Sequence, residues 1–229
     1  MIDFHSHILP GMDDGSKNTK ESLAMLELLR EQGVKSVVAT PHFYANDESV
    51  SEFIERREFS YNRLKESLKQ DFPKIILGAE VRYYEGISNL DNISELCIGE
   101  SSLLLMEMPS IRWTEYTLNE LYSISSRCRI TPVLAHIERY IDYQSPEVFD
   151  NLLASDVLMQ VNASFITAFF TSHKALKWLK KGKVHFIGSD CHNLTTRPPE
   201  ILKAYDVIGK KLGKNFRDSF IDYQIECSY

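Results

Sequence analysis

The chain has 229 residues, enough for one large domain, and its 43% hydrophobic and 25% charged residues are an ordinary globular mixture. A formal net charge of −6 argues against nucleic acid as a partner, although bound cations would reverse the local field and leave room for an anionic substrate. Cys97, Cys128, Cys191 and Cys227 form no C-x-x-C pair, and no leader or membrane-length apolar run is evident, so the expected setting is the cytoplasm, with reduced thiols and no membrane insertion.

Strand-like and helix-like segments alternate along the whole chain, with no linker or repeat, so residues 1–229 read as a single domain. Seven short β-rich runs are candidate strands: residues 1–7, 34–42, 74–83, 103–108, 131–139, 157–165 and 184–192. After the first, Leu23, Leu26 and Leu29 recur at helical spacing, with Asn18 and Glu21 as a capping box and Gly33 beyond the last turn. Residues 53–68 predict a second, highly charged helix. The connection 83–103 reads as a loop with a short helix. Ser145-Pro146 marks a helix start, Ser172 another that ends near Gly182, and Pro198-Pro199 opens a final helix carrying Ile201, Leu202, Tyr205 and Ile208. This order implies βαβ units and a parallel sheet.

Six of the seven runs end in a residue that can bind a metal. The first carries His5-Ser6-His7, whose spacing of two turns both imidazoles the same way on a strand. His42 ends the second, Glu80 sits in the third, Glu107 in the fourth and His136 in the fifth. The seventh ends Asp190-Cys191-His192, and Asp14 lies in the loop after the first. One histidine alone is more often a satisfied surface or core group, and His173 and His185 read that way. The others are too many, at matching strand ends, to be independent accidents. Polar groups gathered at the C-terminal ends of strands are what a barrel with its site at that face produces, so the expected class is α/β with a TIM-like barrel.

A mixed set of histidines and carboxylates suits Zn, Mn or Fe, and nine candidate ligands exceed one tetrahedral ion. Two or three ions sharing carboxylates fit the count, and such clusters serve phosphate ester hydrolysis as well as amide or lactone hydrolysis. Arg139, three residues after His136, and Arg197, just beyond His192, tilt the choice toward phosphate, because a guanidinium fork matches its oxygens. Phe43 and Tyr44 read as ordinary loop hydrophobes within reach of a substrate ring.

His5-x-His7, His42, Glu80, His136 and Asp190-x-His192 resemble the polymerase and histidinol phosphatase (PHP) superfamily. Residues 1–8, Asp13-Asp14-Gly15, Ala135-His136-Ile137-Glu138-Arg139-Tyr140, Gln160-Val161-Asn162, Ser189-Asp190-x-His192-Asn193 and Arg197-Pro198-Pro199 are similar, within it, to the bacterial manganese-dependent protein-tyrosine phosphatases of capsule and exopolysaccharide operons. The resemblance runs from Met1 to about Tyr205. It implies a distorted (β/α)7 barrel of PHP type with three Mn²⁺ ions, Fe or Zn being the alternatives. One ion would be held by His5, His7, Glu80 and Asp190, a second by Glu80, Glu107 and His136, and a third by Asp14, His42 and His192. Arg139 and Arg197 would hold the phosphate, with Asp190 and His192 placed to assist the leaving group. The implied substrate is the tyrosine-rich tail of a membrane-associated bacterial tyrosine kinase that controls polysaccharide export. A small-molecule phosphomonoesterase, such as a histidinol-phosphate phosphatase, is the alternative on the same residues.

Cys191 to Arg197 also matches C-x5-R, the phosphate loop of cysteine-dependent tyrosine phosphatases. That loop has no glycine here, and using it would leave the histidines and carboxylates idle, so Cys191 is expected to be a small buried apolar residue. No lysine follows a strand as an amidohydrolase bridge, and the net charge speaks against a nuclease.

Overall fold

The alternating pattern becomes a ring of parallel strands wrapped by helices in the computed structural model, which describes residues 1–228. The strands are β1 (Ile2–Ser6), β2 (Ser36–Ala39), β3 (His42–Phe43), β4 (Lys74–Leu77), β5 (Glu80–Arg82), β6 (Leu103–Glu107), β7 (Thr131–Leu134), β8 (Leu158–Asn162) and β9 (Phe186–Gly188). They occupy the seven expected positions, but two of those positions are broken. The second splits at Thr40-Pro41 into β2 and β3, since proline has no N–H for a ladder. The third splits at Gly78-Ala79 into β4 and β5.

All pairings are parallel, in the orders β1-β2-β4 and β3-β5-β6-β7-β8-β9. The ring closes where Asp190 N donates to His5 O at 2.8 Å and Ser6 bridges Cys191. Beside β4 the ladder is replaced by a loop, whose Gly99 N donates to Leu77 O at 2.8 Å. The result is a curled, distorted seven-position barrel.

Around it lie α1 (Thr19–Glu31), α2 (Val50–Lys65), α3 (Glu115–Cys128), α4 (Pro146–Leu153), α5 (Ala163–Thr167), α6 (Ser172–Lys180), α7 (Leu202–Lys211) and α8 (Lys214–Cys227). Single 3₁₀ turns occupy Ile87–Asn89, Ile93–Leu96 and Ile137–Arg139. Asn18 caps α1 by accepting from Glu21 N at 3.1 Å, but the Glu21 carboxylate accepts from Lys17 N, so the expected reciprocal box does not form there. That box belongs instead to Ser49 and Glu52, which start α2 three residues before the expected Phe53. Thr171 rather than Ser172 is the residue before α6. The helix expected from Pro198-Pro199 begins only at Leu202, so Arg197 sits in a loop and not at a helix start.

Two cores share the sheet. The larger lies between strands and helices and includes Leu26, Leu29, Val37, Met106, Leu121, Met159, Ile187 and Ala175. The smaller fills the barrel floor with Ile2, Phe4, Val38, Ile76, Leu105, Val133 and Phe186, and the rings of Phe4 and Phe186 stack at 3.8 Å. α8, which carries no apolar stripe legible in the sequence, closes this floor. Its Ile225 and Cys227 pack on the inner cluster, and its buried Gln224 accepts from Ile187 N at 2.7 Å and donates to Tyr205 Oη at 2.9 Å. The acidic C-terminal segment is thereby anchored up to Ser228; Tyr229 lies outside the described residues.

Candidate metal centre

Above the apolar floor the barrel interior turns polar. On each inward row the lower residues are hydrophobic and the upper one is a metal-ligand type: Leu103 and Leu105 lead to Glu107, Ile76 to Glu80, and Val38 to His42. β1 departs from simple alternation. Its register against β2 shifts between Asp3 and Ser6, a bulge that lets Phe4 join the inner floor while His5 also faces inward. Two non-glycine residues, His136 (φ 33°) and Asp190 (φ 54°), adopt the left-handed region where their strands end, which aims both side chains back over the ring. Asp190 and His192, two apart like His5 and His7, therefore converge through this turn and not through strand alternation. Arg139 likewise stands on the 3₁₀ turn after His136, off the strand.

All nine sequence-predicted ligand residues come together. Glu80 is the hub. Its Oε2 lies 3.1 Å from His5 Nε2, 3.2 Å from His7 Nε2 and 3.2 Å from His42 Nδ1, and its Oε1 lies 2.8 Å from His136 Nε2. Asp190 Oδ1 is 3.6 Å from His5 Nε2 and 3.5 Å from His7 Nε2. Glu107 Oε1 is 3.8 Å from His136 Nε2. Asp14 Oδ1 is 3.2 Å from His192 Nε2 and 3.7 Å from His42 Nε2. Three groups could each surround an ion: His5, His7 and Asp190; His42, Glu80 and Glu107; and His7, Asp14, His42 and His192. All three differ from the expected sets: the first lacks Glu80, the second has His42 in place of His136, and the third adds His7.

The residues fit cations. His42 Nδ1 and His192 Nε2 are buried and, though each is 3.2 Å from a carboxylate oxygen, make no hydrogen bond of proper angle, an expensive state for a ring nitrogen unless it serves as a ligand. Burial opposes charge on Glu80, yet His5, His136 and His7 outweigh it and hold its carboxyl well below the usual range. Burial also works against protonated His5 and His7, but Glu80 and Asp190 beside the one and Asp13 beside the other raise both. Burial lowers His42 and His136 and, with His7 and Arg197, takes His192 to about 4. The buried carboxylates thus demand positive charge, and divalent ions supply it without protonating the histidines.

The supporting residues were quoted in the sequence only as parts of motifs. Asp13 Oδ2 lies 2.7 Å from His7 Nδ1 and accepts from His42 N at 2.8 Å, so His7 keeps its Nε2 lone pair for the centre. Gln160 Oε1 accepts from His136 N at 2.7 Å and lies 3.3 Å from His5 Nδ1. Gln160 Nε2 donates to Asn162 Oδ1 at 3.0 Å, and Asn162 Nδ2 donates to Asp190 Oδ2 at 2.9 Å. His192 Nδ1 sits 3.0 Å from the Asp190 carbonyl oxygen. Tyr140 Oη is 3.2 Å from His136 Nδ1. Asp3, raised to about 6 by burial, accepts from Ser189 N and Oγ and pins the turn before Asp190. Arg82, missed entirely, donates to Glu107 Oε2 at 2.7 Å. The register pairs Arg82 with Glu107 across β5 and β6, a signal available only once strand pairing is known.

Two glycines allow the close approach. A Cβ on Gly188 would lie 2.4 Å from His5 Cβ, and one on Gly15 2.4 Å from His7 Cβ. Arg139 donates to Asp190 Oδ2 at 2.7 Å, and Arg197 NH2 lies 2.6 Å from Oδ1 of the same carboxylate. These arginines, 40% and 38% exposed, border a cavity of about 370 Å³ lined also by Glu138, Asn162, Thr167 and Lys203. Glu138, its carboxyl pushed up to about 7 by burial, accepts there from Asn162 N at 3.1 Å.

Cys191 is wholly buried, and burial pushes its thiol far up, the reverse of a thiolate nucleophile. His185 accepts from Met159 N away from the centre, and His173 is exposed on α6. Phe43 is core, packed on Phe53, whereas Tyr44 lies 5.3 Å from the His42 ring.

Relatives share the whole of this frame. CpsB of Streptococcus pneumoniae, named a tyrosine-protein phosphatase, is 32% identical over 97% of this chain and 96% of its own length. YwqE of Bacillus subtilis, also so named, is 29% identical over 93% of this chain and 85% of its own. A solved structure from work on YwqE and CpsB, described as unique metal-dependent tyrosine phosphatases, superposes with a TM-score of 0.85 at 24% identity, covering 100% of this chain and 94% of that one. No helix among the described residues is long and apolar enough to cross a membrane. The family model for capsular polysaccharide synthesis proteins, CpsB/CapC, matches residues 1–224, and the chain belongs to that family.

Proposed function

We propose that this chain is a metal-dependent protein-tyrosine phosphatase, with His5, His7, Asp14, His42, Glu80, Glu107, His136, Asp190 and His192 holding three manganese ions. The observation that carries the reading is the meeting of two guanidiniums, Arg139 and Arg197, on opposite oxygens of Asp190 at the edge of the histidine–carboxylate cluster. Bound divalent ions supply Lewis-acid stabilisation of phosphoryl oxygens and activation of water. The chain's residues do the rest. Arg139 and Arg197 turn toward an incoming phosphate and offer forked N–H donors to its non-bridging oxygens. Asp13, Gln160 and Asn162 hold the imidazoles and Asp190 in place, and the apolar floor keeps bulk water from below. The substrate of this reading is a phosphotyrosine protein, specifically the tail of a membrane-associated bacterial tyrosine kinase, met in the cytoplasm. The family's capsule-synthesis description and the relatives' names support it.

The test is hydrolysis of a phosphotyrosine peptide by the purified protein, untreated, after chelation, and after Mn²⁺ add-back, beside Cys191→Ser. Activity lost to chelator, restored by manganese and unchanged in Cys191→Ser is expected. Activity that survives chelation and dies with Cys191 would overturn the reading. A metabolite such as histidinol phosphate, turned over with far higher kcat/KM than any phosphopeptide, would put the small-molecule alternative in its place.

A further inference from the structure

The most exposed large hydrophobic side chains among the described residues are two neighbours, Phe169, 89% exposed, and Phe170, 93% exposed. They lie on the loop between α5 and α6, with ring centroids 5.3 Å apart and nearly perpendicular. The loop is well tied. Ser172 N donates to Ala168 O at 2.9 Å, Thr171 Oγ1 donates to Phe165 O at 2.7 Å, and Phe165 and Ile166 anchor α5 in the core. The pair is therefore displayed by an ordered turn, and it is more exposed than Phe59, at 65% the next large hydrophobic among the described residues.

Position gives the display a meaning. Ser164 and Thr167, on the same α5, line the cavity that Arg139, Asp190 and Arg197 border. Two residues of extended chain reach about 7 Å, so Phe169 stands within about that distance of the cavity wall along the backbone. Other exposed hydrophobics lie in the connections that follow strands: Tyr44 after β3, Ile111 after β6, Tyr143 after β7 and Leu194 after β9. A free phosphomonoester small enough to fill the cavity would have no use for this rim. A polypeptide entering with its phosphotyrosine between the arginines would cross it.

Resting on the phosphatase reading above, we propose that Phe169 and Phe170 form a docking site for an apolar side chain two or three residues from the phosphotyrosine of a protein substrate. The arginines recognise the phosphate, and the phenylalanine pair selects the sequence that carries it. Desolvating an apolar side chain against two aromatic rings is the kind of contact that makes aromatics dominant in interfaces.

The test compares three substrates on the manganese-loaded full chain and on the double variant Phe169→Ser, Phe170→Ser. They are a phosphotyrosine peptide with leucine at the second and third positions on each side of the phosphotyrosine, the same peptide with serine there, and p-nitrophenyl phosphate. The wild-type chain is expected to prefer the leucine peptide, and the double variant to lose about 10- to 100-fold in kcat/KM on it, mostly through KM. p-Nitrophenyl phosphate turnover is expected to stay as it was. Equal turnover of the two peptides by the wild-type chain, or a loss in the variant shared by all three substrates, would overturn the docking site. So would a variant that changes only the oligomeric state in light scattering, which would assign the pair to self-association. If the wild-type chain hydrolyses none of the three with manganese, the phosphatase reading itself fails, a result distinct from any of these.

Discussion

Gly188→Ala tests whether the centre depends on close packing of β1 against β9. A Cβ at that position would lie 2.4 Å from His5 Cβ, 2.8 Å from His5 N and 3.0 Å from His5 Cα, where ordinary contact begins at 3.4 Å. The strands must separate by about 1 Å, because the obstacle is backbone and Cβ and has no rotamer to move. His5 is also tied to the end of the same strand by Asp190 N, which donates to its carbonyl. A displacement of that size at a reacting centre costs about 100-fold in turnover. Overpacking of a filled interior costs about 1–3 kcal/mol, or roughly 2–12 °C of Tm for a chain this long. The assay is phosphotyrosine-peptide hydrolysis with Mn²⁺, paired with ion stoichiometry by plasma mass spectrometry and a thermal melt. Gly182→Ala is the control. Its φ of +67° carries strain of about 1–2 kcal/mol, but nothing lies within 4 Å of the new methyl. It is expected to lower Tm and leave turnover per folded molecule alone. If Gly188→Ala keeps its ion content and activity while losing only stability like the control, close packing at His5 does not govern the centre.

Gln160→Leu leaves the buried His136 N–H unpaired and His5 unheld. Manganese titration of the stripped protein is expected to show affinity lower by about 10- to 100-fold, and unchanged affinity would remove Gln160 from the support of the centre. Arg197→Lys keeps the charge but loses the fork. Its kcat/KM on phosphotyrosine peptide is expected to fall about 100-fold with ion content intact, whereas near-normal turnover would mean that charge alone suffices. His185 tests acid sensitivity away from the centre. Burial takes its folded pKa to about 4 from an ordinary 6.5, so the folded state binds fewer protons between those values. Its stability contribution is complete above about pH 6.5 and is lost as pH falls toward 4, by no more than about 3 kcal/mol. His185→Leu is therefore expected to flatten the fall of Tm over that range, and parallel curves for the two proteins would refute it.

Much of this was legible because two signals are local. Strand periodicity marks seven positions, and ligand-type residues at their ends mark the site, so the nine residues that cluster in the barrel mouth are all visible in the sequence. What was not legible depends on contacts between distant segments. Gln160 looks like any polar strand residue until β8 is set beside β7 and its side chain meets His136 N. Arg82 and Glu107 are 25 residues apart and become a pair only through the register of β5 with β6. α8 was missed because its buried residue is a glutamine, which is buried only because Ile187 N and Tyr205 Oη await it. The expected capping box at Asn18 failed for a similar reason: Glu21 found a nearer donor in Lys17 N.

The departures from regular geometry fall at one level of the barrel, and their placement is informative. Regular alternation would send every second residue of a strand outward, so a regular barrel could not crowd this many ligand-type side chains into its mouth. The register shift in β1 lets Phe4 and His5 both face inward. The break at Pro41 frees His42 to start a new strand beside Glu80, with which it pairs directly in register. Left-handed turns at His136 and Asp190 fold two more side chains back over the ring. Each such departure costs about 1–3 kcal/mol, and each is held by a bond outside its own strand: His136 N to Gln160, Asp190 N to His5 O, Ser189 to Asp3, and His42 N to Asp13. The residues that violate strand rules thus belong to the candidate ligand set, and the residues that enforce the violations are the ones packed around it. It follows that Asp3, Asp13 and Gln160, none of which is assigned an ion, belong to the centre as firmly as the histidines do, because without them the backbone would relax toward the regular barrel and carry the ligands out of reach.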